Sequence, residues 1–143
     1  MASAFQKVNC FVQDLARGVH NLNSDSIYVA LTNTAPTAAT TTYTALPGEV
    51  ANGGGYTTGG MAVSGTISAT QTSGTLHFKT TANTVFTATT GFGPFRYVLM
   101  YNNTAAGKNA IAYYDYGASG VTLAAAETFT VDLTTNTDIL TIA

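Results

Sequence analysis

The sequence predicts a mainly β protein: an antiparallel β-sandwich, jelly-roll-like, with one N-terminal α-helix. Three observations predict it. Threonine (27 residues) and glycine (14) are abundant while only 8% of residues are charged. β-Branched Thr fits a pleated strand, and Gly supplies the turns. Beyond residue 26 the apolar residues alternate with period 2 in short runs about ten residues apart, the spacing of a sandwich or barrel. Ahead of that point, apolar residues recur at spacings of 3 and 4, which is a helical period.

The helix is expected over about 5–22. Phe5, Val8, Phe11, Val12, Leu15, Val19 and Leu22 share its apolar face, and Gly18 weakens its last turn. This face either packs on the sheet or presents an arm to a partner. Ile27, Val29 and Leu31 then alternate with Tyr28 and Ala30 as a half-buried strand that Pro36 stops. Residues 34–56, TAPTAATTTYTALPGEVANGGGY, read as a long loop, with Gly53–Gly55 as a tight turn or hinge. A loop of this length in one domain is a candidate contact element.

Short strands follow. Met61, Val63 and Ile67 form one run with a bulge at Gly65, and 71–74 is turn-like. Leu76 and Phe78 flank His77, and Val85–Phe86 form another run. Phe92-Gly93-Pro94 is expected to punctuate the chain before the strongest strand, 95–101, which is apolar on both faces and therefore central. Residues 102–107 make a hairpin connection to its antiparallel partner, 110–116. Runs around Val121–Leu123, Phe129–Leu133 and Ile139–Ile142 complete the set, with a turn at 134–137. No composition shift marks a second domain, so 1–143 is taken as one.

Charge and motif content bound the function. Five basic and seven acidic residues give a net charge of -2, which argues against a nucleic-acid partner. No apolar run reaches the roughly 18 residues of a membrane span. Met1–Gln6 lacks a basic flank and an apolar core, so signal-peptide export is not expected. Cys10 alone cannot close an internal disulfide. Cys10, His20 and His77 are not at metal-ligand spacing, and no metal or other cofactor is expected. Asp115, Glu127 and Asp132 are the carboxylates a sheet could gather for a hydrolase, but no pattern marks them as catalytic, and no catalytic residue is assigned. Asn102-Asn103-Thr104 matches a glycosylation sequon. Tyr97, Tyr101, Tyr113, Tyr114 and Tyr116 read first as cross-strand packing and second as a stacking surface for sugars.

Four ordered blocks carry a likeness. They are FVQDLARGVHNLNSDSIYVALTNTAPTA (11–38), GGGYTTGGMAVSG (53–65), GPFRYVLMYNNTA (93–105) and YYDYGASGVTLAAAETFTVDL (113–133). Their order resembles a family of small structural proteins of tailed bacteriophages. The resemblance implies a virion component and supplies no catalytic residues. The expectation is a non-enzymatic capsid decoration (cement) protein, made in the host cytoplasm and bound to the capsid exterior. Its partners would be the major capsid protein and copies of itself, as a homotrimer or dimer, with no membrane and no nucleic acid involved. The alternative is a tail, fibre or adaptor component contacting host glycans. Phe5, Phe11, Leu15, Pro36, Tyr43 and Tyr56 are the candidate contact residues.

Overall fold

In the computed structural model, which describes residues 5–117, 119–134 and 138–143, the chain is mainly β, antiparallel and sandwich-like, with one short α-helix. The elements in order are β1 (Gln6–Lys7), α1 (Cys10–Ala16), β2 (Ile27–Thr32), β3 (Met61–Ala62), β4 (Ile67–Thr72), β5 (Thr75–Thr80), β6 (Thr84–Thr87), β7 (Gly91–Phe95), β8 (Tyr97–Asn102), β9 (Ala110–Asp115), β10 (Val121–Ala124), β11 (Thr128–Val131) and β12 (Leu140–Ile142). A 3₁₀ turn spans Tyr43–Ala45.

The largest sheet has the order β1-β9-β8-β2-β3, which places β8 at its centre as the sequence implied. Its register puts Ile27, Val29, Leu31, Val98, Met100, Ala112 and Tyr114 on one face, and all seven are buried. Tyr28, Ala30, Thr32, Tyr97, Leu99, Tyr101 and Tyr113 lie on the other. A three-stranded sheet, β12-β5-β4, buries Phe78 and turns Ser68, Thr70, Thr72, Thr75, His77 and Lys79 outward. Its hairpin turns on Ser73 and Gly74, both at positive φ (50° and 86°), the type I′ geometry that matches strand twist.

The pairs β6–β11 and β7–β10 are one interrupted ribbon. Thr87↔Thr128 and Gly91↔Ala124 keep the same register, and Ala88 N donates to Glu127 O at 2.9 Å across the gap. The inward side chains Phe86, Phe92, Phe95, Leu123, Phe129 and Val131 are all buried. A run of ring contacts joins ribbon to sheet: Phe5–Tyr114 (5.3 Å), Tyr114–Tyr116 (6.4 Å), Tyr116–Phe129 (4.9 Å) and Phe129–Phe95 (4.8 Å). Packing thus accounts for Tyr101 and Tyr114, which are buried, while Tyr116 remains 46% exposed.

Four sequence expectations need correction. The helix does not run over 5–22. Gln6–Lys7 pairs with β9, and α1 ends in a Schellman motif, with Gly18 at φ 73°, Gly18 N donating to Leu15 O and Val19 N to Asp14 O. Val12 consequently faces outward at 43% exposure, and Asp14 is buried instead. Phe92-Gly93-Pro94 does not break the chain but lies inside β7. The strand expected over 95–101 is divided at Arg96, where the chain leaves the ribbon and enters the large sheet. Gly65 is no bulge: it sits between β3 and β4 at φ 79°. The turn expected at 134–137 falls largely on 135–137, outside the described residues.

Candidate functional site

The long segment 34–56 contains no strand, as expected, but it is fastened along the part of the β2 edge that β3 leaves uncovered. Asn33 N donates to Gly48 O (3.0 Å), Val50 N to Leu31 O (3.0 Å) and the Thr32 hydroxyl to Pro47 O (2.7 Å). Thr32 and Glu49 oppose each other as an isolated bridge, which delivers Glu49 to the Tyr101 side of the sheet.

There the carboxylate receives three donors. Oε2 accepts from the Tyr43 hydroxyl at 2.6 Å. Oε1 accepts from the Tyr56 hydroxyl at 2.8 Å and from Gly59 N at 2.7 Å. The Tyr56 oxygen in turn accepts from Leu31 N at 3.0 Å. Tyr101 donates to Gly59 O at 2.7 Å and stacks on Tyr43 with ring centroids 4.5 Å apart. Burial, and then the Glu49 charge, pushes the Tyr101 phenol up to about 12. Tyr43 and Tyr56 are raised further, each by burial first and with a contribution from Glu49. These phenols therefore remain protonated donors at neutral pH. A carboxylate held by charge-assisted hydrogen bonds from three directions acts as a clamp on the loop.

Gly53–Gly55 forms the turn the sequence implied. Gly53 N donates to Tyr56 O and Tyr56 N to Gly53 O. It is docked, not a hinge. Gly54 O accepts from Thr89 N (2.8 Å) and Gly91 N (3.3 Å), at the interruption of the ribbon. A Cβ on Gly54 would lie 1.8 Å from Gly91 O, so only glycine permits this approach.

The six expected contact residues divide. Phe11, Pro36 and Tyr56 are buried in their own chain, so their surface is already covered in this fold. Phe5 is half-buried against Tyr114, Leu15 is half-buried, and Tyr43 is half-buried in the Glu49 clamp.

A second polar cluster joins α1 and the turn after it to the end of the large sheet. Asn109 Nδ2 donates to Asp14 Oδ2 at 2.9 Å. Asn102 Nδ2 donates to Asp25 Oδ2 at 2.6 Å and lies 3.1 Å from His20 Nδ1. Asn102 Oδ1 accepts from Thr104 N and Ala105 N. Asn102 is wholly buried and fully engaged, which removes it as a glycan acceptor despite its sequon. Cys10 is half-buried at the start of α1. Burial and the nearby Asp14 raise its thiol, the reverse of an activated nucleophile.

The remaining ionic groups serve local structure. Arg96 grips Asp115 through two hydrogen bonds, Nε to Oδ1 at 2.8 Å and Nη2 to Oδ2 at 2.7 Å, which hold the Asp115 carboxyl below its usual range. His77 Nδ1 meets Asp138 Oδ2 at 2.9 Å, with Lys79 Nζ 3.7 Å from Asp138 Oδ1. Glu127 accepts from Ala124 N, and Asp132 from Thr134 N. Among the described residues no group of three or more His, Cys, Asp or Glu is placed to hold a metal ion. No helix among them is long and apolar enough to cross a membrane.

Compared with known proteins, the chain matches no protein-family model, no curated protein and no solved structure. The likeness in the four sequence blocks gains no support from these comparisons.

Proposed function

We propose that this chain is a non-enzymatic structural protein of a tailed-bacteriophage virion, acting as a decoration protein on the exterior of the capsid. One observation carries the reading: the exterior of the β frame displays many hydroxyl side chains and carries very little charge. Thr70 and Thr72 on one sheet, and Thr87, Thr122, Thr128 and Thr130 on the ribbon, are all exposed. The whole chain holds five basic and seven acidic residues. Neutral hydroxyl surfaces approach one another without charge repulsion and with little desolvation of ions, as close packing of repeated subunits requires. Binding would come from many modest contacts added over a lattice. The partners are the major capsid protein and further copies of the chain, arranged as a trimer or dimer.

The tail or fibre alternative rests on a different observation. Tyr28, Tyr97 and Tyr113 share one face of the large sheet and are each half-buried. Partly exposed tyrosine rings on one sheet face are suited to stacking on sugars.

Mass spectrometry of purified particles, with heads and tails separated, tests both. Copy numbers comparable to the shell protein on heads support decoration, and adding the chain to bare heads should then raise their melting temperature. A few copies confined to tails support the alternative. Absence from both fractions refutes both.

A further inference from the structure

His20 follows α1, and its side chain is entirely enclosed. The ring lies 5.4 Å from that of Phe11. Its Nδ1 faces Asn102 Nδ2 at 3.1 Å. An amide NH₂ group only donates, so Nδ1 must be the accepting nitrogen and the ring proton resides on Nε2. Asn102 cannot turn its amide over to suit the ring. Its Oδ1 is held by Thr104 N (2.9 Å) and Ala105 N (3.0 Å), and its Nδ2 by Asp25 Oδ2 (2.6 Å), with Val19 O at 3.3 Å sharing its second hydrogen with the ring. Nε2 is buried and, among the described residues, has no hydrogen-bond partner. The nearest anionic atom is Asp14 Oδ2 at 3.9 Å, which Asn109 already occupies.

A second proton on this ring has one place to go, Nδ1, where it meets a donor that is fixed in position. The charged and titratable groups around the cluster are few. Asp14 comes from α1, with the Cys10 thiol close enough to feel its charge, and Asp25 from the following turn. From the connection between β8 and β9 comes Lys108, whose ammonium is engaged by Asn103. The two carboxylates favour a charged ring, but burial opposes it and outweighs them.

We propose that His20 is an acid-operated latch: a proton added at Nδ1 drives the ring from its seat against Asn102 and frees α1, with the turn at 19–25, from the end of the large sheet. The inference is independent of the virion reading. The direction follows from linkage. The open form takes up the proton near the ordinary value of 6.5, whereas the closed form resists it, so the latch is fully closed above pH 6.5 and loosens as pH falls below. Between pH 7 and pH 5.5 the open fraction grows, by at most roughly eightfold, the limit reached if the closed ring takes up no proton at all.

Cys10 reports the event. It is the chain's one thiol, it lies on α1, and its Sγ sits 3.9 Å from Thr41 O. Its labelling by a pyridyl disulfide is measured at both pH values and divided by the rate for the urea-unfolded chain at the same pH. The normalised rate should rise several-fold in the native protein, with about eightfold as the ceiling, and stay level in His20→Gln. A level rate in the native protein, or the same rise in His20→Gln, overturns the latch. If His20→Gln does not fold, the imidazole ¹⁵N shifts of the unaltered protein decide. A neutral Nε2–H ring titrating below 6.5 is expected, and an Nδ1–H ring or a midpoint at or above 6.5 overturns the proposal.

Discussion

Replacing Glu49 by Ala removes the acceptor that Tyr43, Tyr56 and Gly59 share. Three hydrogen bonds to a charged acceptor vanish, at 2.6, 2.8 and 2.7 Å. Bonds to charged groups contribute about 1.5–3 kcal/mol each when fully formed. Tyr43 is half-buried and Gly59 is partly open, so water replaces much of what they lose. Tyr56 is only 2% exposed, and its hydroxyl keeps only its bond from Leu31 N. The expected loss is therefore about 3 kcal/mol, well short of a threefold sum. Tyr56→Phe should cost about 2 kcal/mol, since it also orphans the Leu31 N–H, and Tyr43→Phe about 1 kcal/mol, since its ring still stacks on Tyr101. Urea unfolding followed by far-ultraviolet circular dichroism gives each value. The double variant Glu49→Ala/Tyr43→Phe should cost about 1 kcal/mol less than the sum of the singles. A loss under about 0.5 kcal/mol for Glu49→Ala, or strict additivity in that cycle, would refute the clamp.

Gly54→Ala should be far more damaging than Gly74→Ala, by about 2 kcal/mol or more in thermal or urea unfolding, because both have positive φ but only Gly54 is pressed against backbone. Ultraviolet titration near 295 nm should show Tyr43, Tyr56 and Tyr101 ionising above the ordinary phenol range. Because protonation is tighter in the folded state, stability holds below pH 10 and declines as pH rises towards about 12. Passage through a glycosylating host should leave the mass at Asn102 unchanged in intact mass spectrometry, since the acceptor amide is buried and occupied.

The sequence carried the fold further than the sites. The apolar runs Ile27–Leu31 and Tyr97–Tyr101 are legible because those strands sit in mid-sheet, where both faces are covered and all but Tyr28 and Tyr97 are buried, so the half-buried strand expected at 27–31 is enclosed on both sides. The 3–4 spacing over Phe5–Leu22 misled for a physical reason. Val8, Phe11 and Leu22 are indeed buried, but from a strand exit, a helix and a turn in succession, and periodicity cannot tell those from one continuous helix. Gly18 was the visible clue. Phe92-Gly93-Pro94 resembles punctuation because its composition is that of a turn, yet the pairing of Phe92 with Leu123 overrides local preference. The Glu49 clamp left one trace, a lone carboxylate between Asp25 and Asp115 with Tyr43 and Tyr56 nearby. The Asn102 cluster left none, since its members come from separate segments and meet only through the fold.

The interrupted ribbon has a consequence for how this chain tolerates change. Its two halves count residues in step: the pairing that ends at Thr87–Thr128 resumes at Gly91–Ala124 with equal numbers skipped on each side. Deleting one residue from 88–90 alone would throw the second half out of phase, turning Phe92 and Phe95 from the interior to the solvent. A deletion matched by another in 125–127 would restore the phase. Length variation at this waist is therefore permitted only as compensated pairs, much as two toothed racks can lose teeth only together.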